Sequence, residues 1–204
     1  MNARLSLVGV LFCLYALAAC SHHGSVLPPV MPAQEHRRLQ SGAQSDQYST
    51  TILNDGPAAY YRLDDSGTTT AADSSGNNLN GTIGASVTTG AAGLLTSVSD
   101  AAMAFPGTQN AASTVNVAAN GLLQPASAIS LEAWIKFTAN PATYAVVVGY
   151  GSDSFYAPYD LFFRAGNQLV AQFYLSSGVL EVPGPALKAN TVYHIVSTFD
   201  GSTG

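Results

Sequence analysis

A stretch of nine residues, "ISLEAWIKF", alternates between two sets of side chains with a period of two. In a strand, successive side chains point to opposite faces of the sheet, so such alternation predicts a half-buried β-strand. The predicted strand covers residues 129–137. One parity, expected to be buried, holds Ile129, Leu131, Ala133, Ile135 and Phe137, and the other holds Ser130, Glu132, Trp134 and Lys136.

The stretch "YDLFFRAGNQLVAQFYL" predicts a β-hairpin, with strands at residues 159–164 and 168–175 around a turn at residues 165–167. Clusters of Gly, Pro, Asn and Asp separate the remaining candidate strands, and no convincing amphipathic helix is present. The pattern therefore predicts an all-β fold, an antiparallel sandwich or barrel. The other predicted strands are at residues 58–63, 81–83, 101–105, 113–117, 145–150 and 192–199.

Residues 1–20, "MNARLSLVGVLFCLYALAAC", predict a secretory signal with a positive charge at Arg4, an uncharged apolar stretch and small residues before a cysteine. The apolar stretch is short for a membrane-spanning helix, which needs about 20 apolar residues. Its last four residues, "LAAC", resemble the bacterial lipobox. The resemblance implies that Cys20 is lipidated and becomes the new N-terminus. An ordinary signal peptide with an incidental cysteine is the alternative.

Ser21 follows the lipobox cysteine, whereas Asp at that position favours inner-membrane retention in the lipoproteins that the chain resembles. The resemblance therefore implies export and a lipid anchor in the cell envelope, at the outer membrane or the cell surface. Cys13 lies in the segment that would be removed. The mature chain would then have no cysteine for a disulfide or a thiolate metal site.

Residues 21–47, "SHHGSVLPPVMPAQEHRRLQSGAQSDQ", predict a disordered tether. Pro, Gln, Ser and mixed charges supply too little apolar surface to offset the entropy of ordering. A single domain is predicted over residues 48–204. The chain has 12 acidic against 7 basic residues and a net charge of −5. This balance argues against nucleic-acid binding, which depends on neutralising phosphates.

Three stretches carry a family resemblance: "DGPAAYYRLDDSGTTTAADSSGNNLNGTIG", "ISLEAWIKF" and "YHIVSTFDGSTG", in that order. They resemble the opening, middle and late segments of the laminin-G-like (LamG) jelly rolls of the concanavalin A-like lectin and glucanase superfamily. Tyr61 and Tyr193 stand where that family more usually has Trp. The resemblance implies an antiparallel jelly-roll β-sandwich over residues 48–204.

Members of that family continue beyond "FDGSTG" into further strands, one of them often carrying an acidic residue. A sandwich that lacks its last strands would expose unpaired edges and part of its core. We therefore expect the domain to be incomplete. A divergent closure of the sheets is the alternative.

Catalysis is not expected. Retaining glucanases of the resembled superfamily carry a cluster similar to E-x-D-x-E, because their chemistry needs two carboxyl groups about 5 Å apart. Glu132 and Glu181 each lack a second carboxylate two residues away. His194 alternates with Val192 and Val196, which favours a structural histidine over a general base. No organic cofactor is expected.

The loop "ADSSGNNLNGT" is dense in oxygen donors of the kind that Ca²⁺ prefers. Asp73 is the principal candidate ligand, with Asn77 and Asn78 as weaker ones. In the resembled domains the matching loop often contributes to a calcium site. The alternative is a turn held by Asx hydrogen bonds and Gly76, for which the same residues are equally suited.

A ligand-binding surface is predicted from the strand parity opposite the core. Aromatic rings beside amide and charged groups are what a sugar site requires. The alternative is that Trp134 and Phe162 are covered by the tether or by crossing loops and complete a second small core. The candidate residues are Trp134, Glu132 and Lys136 on one strand, and Asp160, Phe162, Arg164, Gln172 and Tyr174 on the hairpin.

These observations predict a lipid-anchored envelope protein whose LamG-like domain acts in non-catalytic recognition, with carbohydrate as the expected ligand. The fold alone does not settle function. A protein-binding adhesion or scaffolding module and a non-functional fragment of a longer protein are the two alternatives.

Overall fold

The computed structural model describes residues 47–95, 100–107, 110–124, 127–140, 144–151 and 158–201, together with the backbone of residues 7–8 and 12–15. These residues form fourteen strands, a helix over residues 47–54 and 3₁₀ turns at Ala111–Ser113 and Gly121–Leu123. The strands are β1 (Leu7–Val8), β2 (Phe12–Tyr15), β3 (Pro57–Tyr61), β4 (Thr70–Ala71), β5 (Gly81–Ile83), β6 (Thr88–Ala91), β7 (Ala102–Phe105), β8 (Val115–Val117), β9 (Ile129–Ile135), β10 (Ala145–Tyr150), β11 (Tyr159–Arg164), β12 (Gln168–Leu175), β13 (Gly178–Ala186) and β14 (Tyr193–Phe199).

All the strand pairings are antiparallel. One four-stranded sheet has the order β14-β9-β2-β3, and a second has the order β10-β11-β12-β13. We call them the first and the second sheet. Two three-stranded sheets, β1-β7-β6 and β4-β5-β8, complete the described fold. The prediction of an all-β antiparallel jelly-roll sandwich is confirmed.

A single apolar cluster joins the four sheets. It contains Leu131 of the first sheet, Phe163 of the second, and Ala71 and Met103 of the smaller ones. The rings of Phe163 and Phe137 lie 5.1 Å apart at 57°. Both rings are fully buried, so the inner faces of the two large sheets meet in a well-packed core.

The alternation along β9 has the predicted phase. Ile129, Leu131, Ala133 and Ile135 lie in the main core, and Phe137 continues this parity just beyond the strand. The hairpin of β11 and β12 also follows its prediction, and its turn places Gly166 and Asn167 at positive φ. Gly and Asn adopt this conformation at the lowest cost, so the turn chemistry agrees with the register.

The helix over residues 47–54 contradicts the expectation that no amphipathic helix is present. Its sequence, "QYSTTILN", is poor in strong helix formers. Tyr48 and Ile52, four residues apart on one side of the helix, pack with Tyr60 and Trp134 on the outer face of the first sheet. Tertiary packing, not intrinsic propensity, therefore stabilises this short helix.

Strand β13 was also not predicted. It contains Pro183 and Pro185, which usually argue against a strand. Among the described residues, β13 pairs only with β12 and forms an edge of the second sheet, where proline is tolerated. The short strands β4 and β6 were missed as well, because two to four residues carry little periodic signal.

Candidate functional site

The outer face of the second sheet carries a row of polar side chains across three strands. Asp160 of β11 pairs with Gln172 of β12, and Gln172 pairs with Glu181 of β13. Asp160 and Gln172 are both 8% exposed, whereas the Glu181 side chain is 37% exposed. The row continues on β10 with Gly149, which is the register partner of Asp160. A buried carboxylate and a buried amide therefore lie side by side on this face.

The Asp160 carboxyl group is held in a low-polarity position. Burial raises its pKa to about 6, although a hydrogen bond from Tyr144 acts in the opposite direction. In that bond, the Tyr144 hydroxyl donates to Asp160 Oδ2 at 3.2 Å. Burial and the nearby Asp160 charge in turn raise the pKa of the Tyr144 phenol. The pKa of this carboxyl group is thus well above that of an exposed aspartate.

Gly149 provides the space for this carboxylate. A Cβ atom placed on Gly149 would lie 2.1 Å from Asp160 Oδ1, far inside van der Waals contact. The backbone of Gly149 does not have the positive φ that favours glycine. Glycine is therefore required at position 149 for a steric reason, because a Cβ atom there would overlap the Asp160 carboxylate.

Aromatic and charged groups surround the row. The rings of Tyr144 and Phe162 lie 4.3 Å apart, and Tyr144 is 39% exposed while Phe162 is buried. The Arg164 guanidinium lies 5.7 Å from the centroid of the Phe162 ring and forms an ion pair with Glu181. Tyr174, at the far end of β12, is half-buried. We call Tyr144, Asp160, Phe162, Arg164, Gln172, Tyr174 and Glu181 the hairpin face.

The other predicted candidates lie on the outer face of the first sheet, on the opposite side of the sandwich. Glu132 is 8% exposed and accepts a hydrogen bond from Tyr48 at 3.0 Å. The same Tyr48 oxygen accepts from the Trp134 indole nitrogen at 2.9 Å. Glu132 also contacts His194 Nε2 at 2.8 Å. Trp134 and His194 stack with centroids 4.5 Å apart.

The helix over residues 47–54 covers this second group, so Trp134 and Glu132 are engaged in a network that joins the helix to the sheet. Lys136 follows β9 directly and is half-buried. The eight candidates therefore fall on two separate faces of the sandwich. His194 is bound into the same network through Glu132 and Trp134.

Replacing Tyr48 with phenylalanine is expected to lower the free energy of unfolding by about 1 to 2 kcal/mol, because the Trp134 N–H and the Glu132 carboxylate each lose a partner. Chemical denaturation measures this loss. Thr51→Ala is the matched control on the same helix. Within the described residues, Thr51 bonds the exposed Gln47 carbonyl, and the loss of that bond should change stability by less than about 0.5 kcal/mol. Equal stabilities for the Tyr48 and Thr51 variants would contradict this role.

The loop around Asp73 is built on that one side chain. Asp73 Oδ1 accepts from the backbone amides of Tyr60 at 3.0 Å and Ser75 at 2.9 Å, and Oδ2 accepts from the Ser75 hydroxyl and the Leu79 amide, both at 2.9 Å. Burial alone would raise the pKa of Asp73, but these hydrogen bonds outweigh it and hold the pKa below its ordinary value. Both carboxylate oxygens are therefore used by the protein.

The two asparagines of this loop have different surroundings. Asn77 donates its side-chain amide to the carbonyl oxygens of Pro57 at 3.3 Å and Ala58 at 3.1 Å, which ties the loop to β3. Asn78 has a φ of 59°, a turn conformation that Asn tolerates well, and donates to Gly76 at 3.5 Å. These contacts close a turn, as the Asx-turn alternative expects. A calcium site would need oxygen atoms of the same loop as metal ligands.

Within the described residues, no three His, Cys, Asp or Glu side chains are grouped so that they could share a metal ion. No helix in that part of the chain is long and apolar enough to span a membrane. Cys20 and residues 21–46 of the tether predicted at residues 21–47 lie outside the described residues, whereas its last residue, 47, begins the described helix.

The antiparallel sandwich with polar and aromatic groups on its outer faces defines a concanavalin A-like β-sandwich, the fold of lectin-like and other binding modules. Residues 107–204 match the Laminin_G_3 family model, described as the concanavalin A-like lectin/glucanases superfamily. The matched segment includes β9 to β14 and every residue of the hairpin face, and it supports a LamG-like domain. No curated protein and no solved structure matches the chain.

The predicted strand alternation places Asp160, Phe162, Arg164, Gln172 and Tyr174 on one face, where the structure also has them. It missed Tyr144, Gly149 and Glu181. Tyr144 precedes its strand, Gly149 has no side chain, and β13 was not recognised. The register of β10 and β13 against the hairpin brings Gly149 and Glu181 to the face, and Tyr144, just before β10, reaches it through its contacts with Asp160 and Phe162.

Proposed function

We propose that the LamG-like domain recognises carbohydrate without catalysis, on the hairpin face. The observation that supports this most directly is the exposed Tyr144 ring beside the Arg164–Glu181 ion pair and the buried Asp160. Sugars present apolar C–H patches and hydroxyl groups, and such ligands need an aromatic platform with a few fixed hydrogen-bonding groups. Asp160 and Gln172 are held by the sheet and need little ordering when a ligand binds.

Isothermal titration with sugars found by a glycan-array screen tests the proposal. Tyr144→Ala and Arg164→Gln are each expected to weaken binding at least tenfold, about 1.4 kcal/mol, because they remove the platform and a charged hydrogen-bond donor. Val196→Thr is the matched control, since Val196 is 54% exposed on β14 of the first sheet. Its affinity should be unchanged.

The absence of any glycan ligand, or full affinity in both hairpin-face variants, would contradict the proposal. If binding is lost in Trp134→Ala but kept in Tyr144→Ala, the ligand binds to the first sheet instead.

Protein binding is the second candidate function, and strand β13 favours it. Among the described residues, β13 is an edge of the second sheet, and Val179 and Val182 on it are 52% and 51% exposed. An exposed edge with apolar side chains can add a strand from a partner. Binding to an envelope protein that survives Tyr144→Ala but is lost in Val182→Lys would support this function.

We also propose that the domain acts at the cell envelope, anchored by lipid on Cys20 at the outer membrane or cell surface. The support is the sequence "LAAC" after an apolar stretch with a positive start, followed by Ser21. We further propose calcium binding at the Asp73 loop. The Asp73 carboxylate would then exchange hydrogen bonds that it accepts within the loop for contacts with the metal ion.

A further inference from the structure

The dipeptide Asn-Gly occurs at two places in the chain, Asn80–Gly81 and Asn120–Gly121. In such a pair the backbone nitrogen of the glycine can attack the asparagine side chain, because glycine has no side chain to obstruct the approach and adopts a wide range of backbone angles. Both asparagines are exposed. On sequence and exposure the two sites are equivalent, so a difference in reactivity must come from their surroundings.

Asn120 lies directly before the 3₁₀ turn Gly121–Leu123, and its side chain is held over the following peptide bond. Its backbone is extended, with φ −146° and ψ 143°, and its Oδ1 accepts from the Leu122 amide at 2.9 Å. Because this donor is two residues ahead, the bond bends the side chain toward the Gly121 nitrogen. The same N–H polarises the side-chain carbonyl group, which makes Asn120 Cγ a better electrophile.

The Gly121 nitrogen is accessible for this attack. Gly121 is exposed, and no described atom lies within 4 Å of a Cβ atom placed on it. Within the described residues no acceptor bonds its N–H, as is usual for the first amides of a helical turn. Residues 118–120 belong to no strand or helix, so the backbone can rotate as a ring closes.

The Asn80–Gly81 pair has the opposite surroundings. The Asn80 side chain is directed to another segment, since its Oδ1 accepts from the Asp73 amide at 2.9 Å. Gly81 is buried in β5, between β4 and β8, where its register partners are Ala71 and Val117. A strand with a neighbour on each side commits its amides to the sheet. Attack by the Gly81 nitrogen would therefore require local opening of that sheet.

We propose that Asn120 is a site of spontaneous deamidation in the folded domain and that Asn80 is protected from it. The Gly121 nitrogen gives its proton to water or hydroxide and attacks Asn120 Cγ. The new C–N bond closes a succinimide ring, and the side-chain nitrogen takes up a proton and leaves as ammonia. Water then opens the ring at either carbonyl group and gives aspartate or isoaspartate, with no change of oxidation state.

The two products should differ in their effect on the fold. Aspartate keeps an oxygen acceptor for the Leu122 amide and is favoured directly before a helical turn. Isoaspartate lengthens the backbone by a methylene group just before Leu123, which is buried in the main core and whose carbonyl oxygen accepts from the Tyr159 hydroxyl at 2.9 Å. We therefore expect isoaspartate, and not aspartate, to loosen the contact between Leu123 and Tyr159.

Peptide mapping by mass spectrometry, after incubation of the full chain in neutral buffer, measures both sites in one sample. Asn120 is expected to deamidate at least about tenfold faster than Asn80. In urea the two rates should agree within about threefold, because each asparagine is then followed by glycine in a chain without fixed surroundings. Equal rates in the folded chain, or a faster reaction at Asn80, would overturn the proposal.

Gly121→Ala is the matched variant, because a Cβ atom there meets no described atom within 4 Å yet obstructs the attacking nitrogen. It should slow deamidation of Asn120 at least about tenfold and leave the Tm unchanged. An unchanged rate would overturn the proposed attack. Asn120→Asp should keep the Tm of the unmodified chain, whereas the isoaspartate form, separated by chromatography, should melt at a lower temperature. An isoaspartate form with an unchanged Tm would overturn the proposed effect on Leu123 and Tyr159.

Discussion

Replacing Asp73 with alanine is expected to lower the free energy of unfolding by about 3 to 5 kcal/mol, one of the largest effects of any single polar side chain here. The carboxylate accepts four hydrogen bonds, three of them from the backbone amides of Tyr60, Ser75 and Leu79. Alanine leaves these donors without their charged partner. Urea unfolding followed by circular dichroism measures the loss.

Asp65→Ala is the matched control, because in the described part of the chain Asp65 accepts one exposed bond, from the Ala72 amide at 3.2 Å. It should cost less than about 1 kcal/mol. The loss in Asp73→Ala should be the same with chelator as with Ca²⁺. A loss that is present only with Ca²⁺, together with a calcium-dependent rise in the Tm of the unmodified chain, would instead show that Asp73 is a metal ligand.

The depressed pKa of Asp73 gives this prediction a pH dependence. The folded state binds the Asp73 proton more weakly than the unfolded state does, so the stabilisation is complete above the unfolded pKa. It is lost as the pH falls through the lower folded pKa. The stability difference between the unmodified chain and Asp73→Ala should therefore shrink in acid. A difference that is constant from neutral pH to about pH 2 would contradict the hydrogen-bond account.

Replacing Gly149 with alanine is expected to lower the free energy of unfolding by about 1 to 3 kcal/mol and to weaken glycan binding at least tenfold. The added Cβ would meet Asp160 Oδ1 at 2.1 Å and force the carboxylate out of its position beside Tyr144. Thermal unfolding and calorimetric titration give the two quantities. Gly121→Ala is the control, because nothing lies within 4 Å of a Cβ at Gly121.

A double-mutant cycle with Asp160→Ala isolates the cause. Once the carboxylate is absent, Gly149→Ala should cost little further stability, so the two effects should be strongly non-additive. Additive effects would show that glycine is required at position 149 for a reason other than the space it leaves for the Asp160 carboxylate.

Much of the fold could be predicted from strand periodicity. Residues 129–135 and the hairpin of β11 and β12 have the predicted phase, because a buried face must be apolar at every second residue. The helix over residues 47–54 could not be found this way. Its local propensities are weak, and its stability comes from packing against Trp134 and Tyr60.

The hairpin face was predictable only where both partners lie on one hairpin. Asp160 and Gln172 face each other across a short turn, and alternation places them together. Glu181 reaches the same face through the pairing of β13 with β12, and Tyr144 reaches it just before β10, where its hydroxyl bonds Asp160. The connection from β10 to β11 spans residues 151–158 and gives no pairing signal. Strand β13 follows β12 after only residues 176–177, but Pro183 and Pro185 argue against a strand there.

The amino-acid sequence by itself determined the strand content, the buried parity of the central strands and the antiparallel sandwich, because these depend on local periodicity and turn chemistry. The tertiary structure decided which polar groups meet. It separated Trp134 from the hairpin face, engaged both oxygens of Asp73 in the loop, and placed residues 12–15 between β3 and β9. These outcomes depend on strand register and side-chain packing between segments that are far apart in the sequence, and local periodicity carries no information about such contacts.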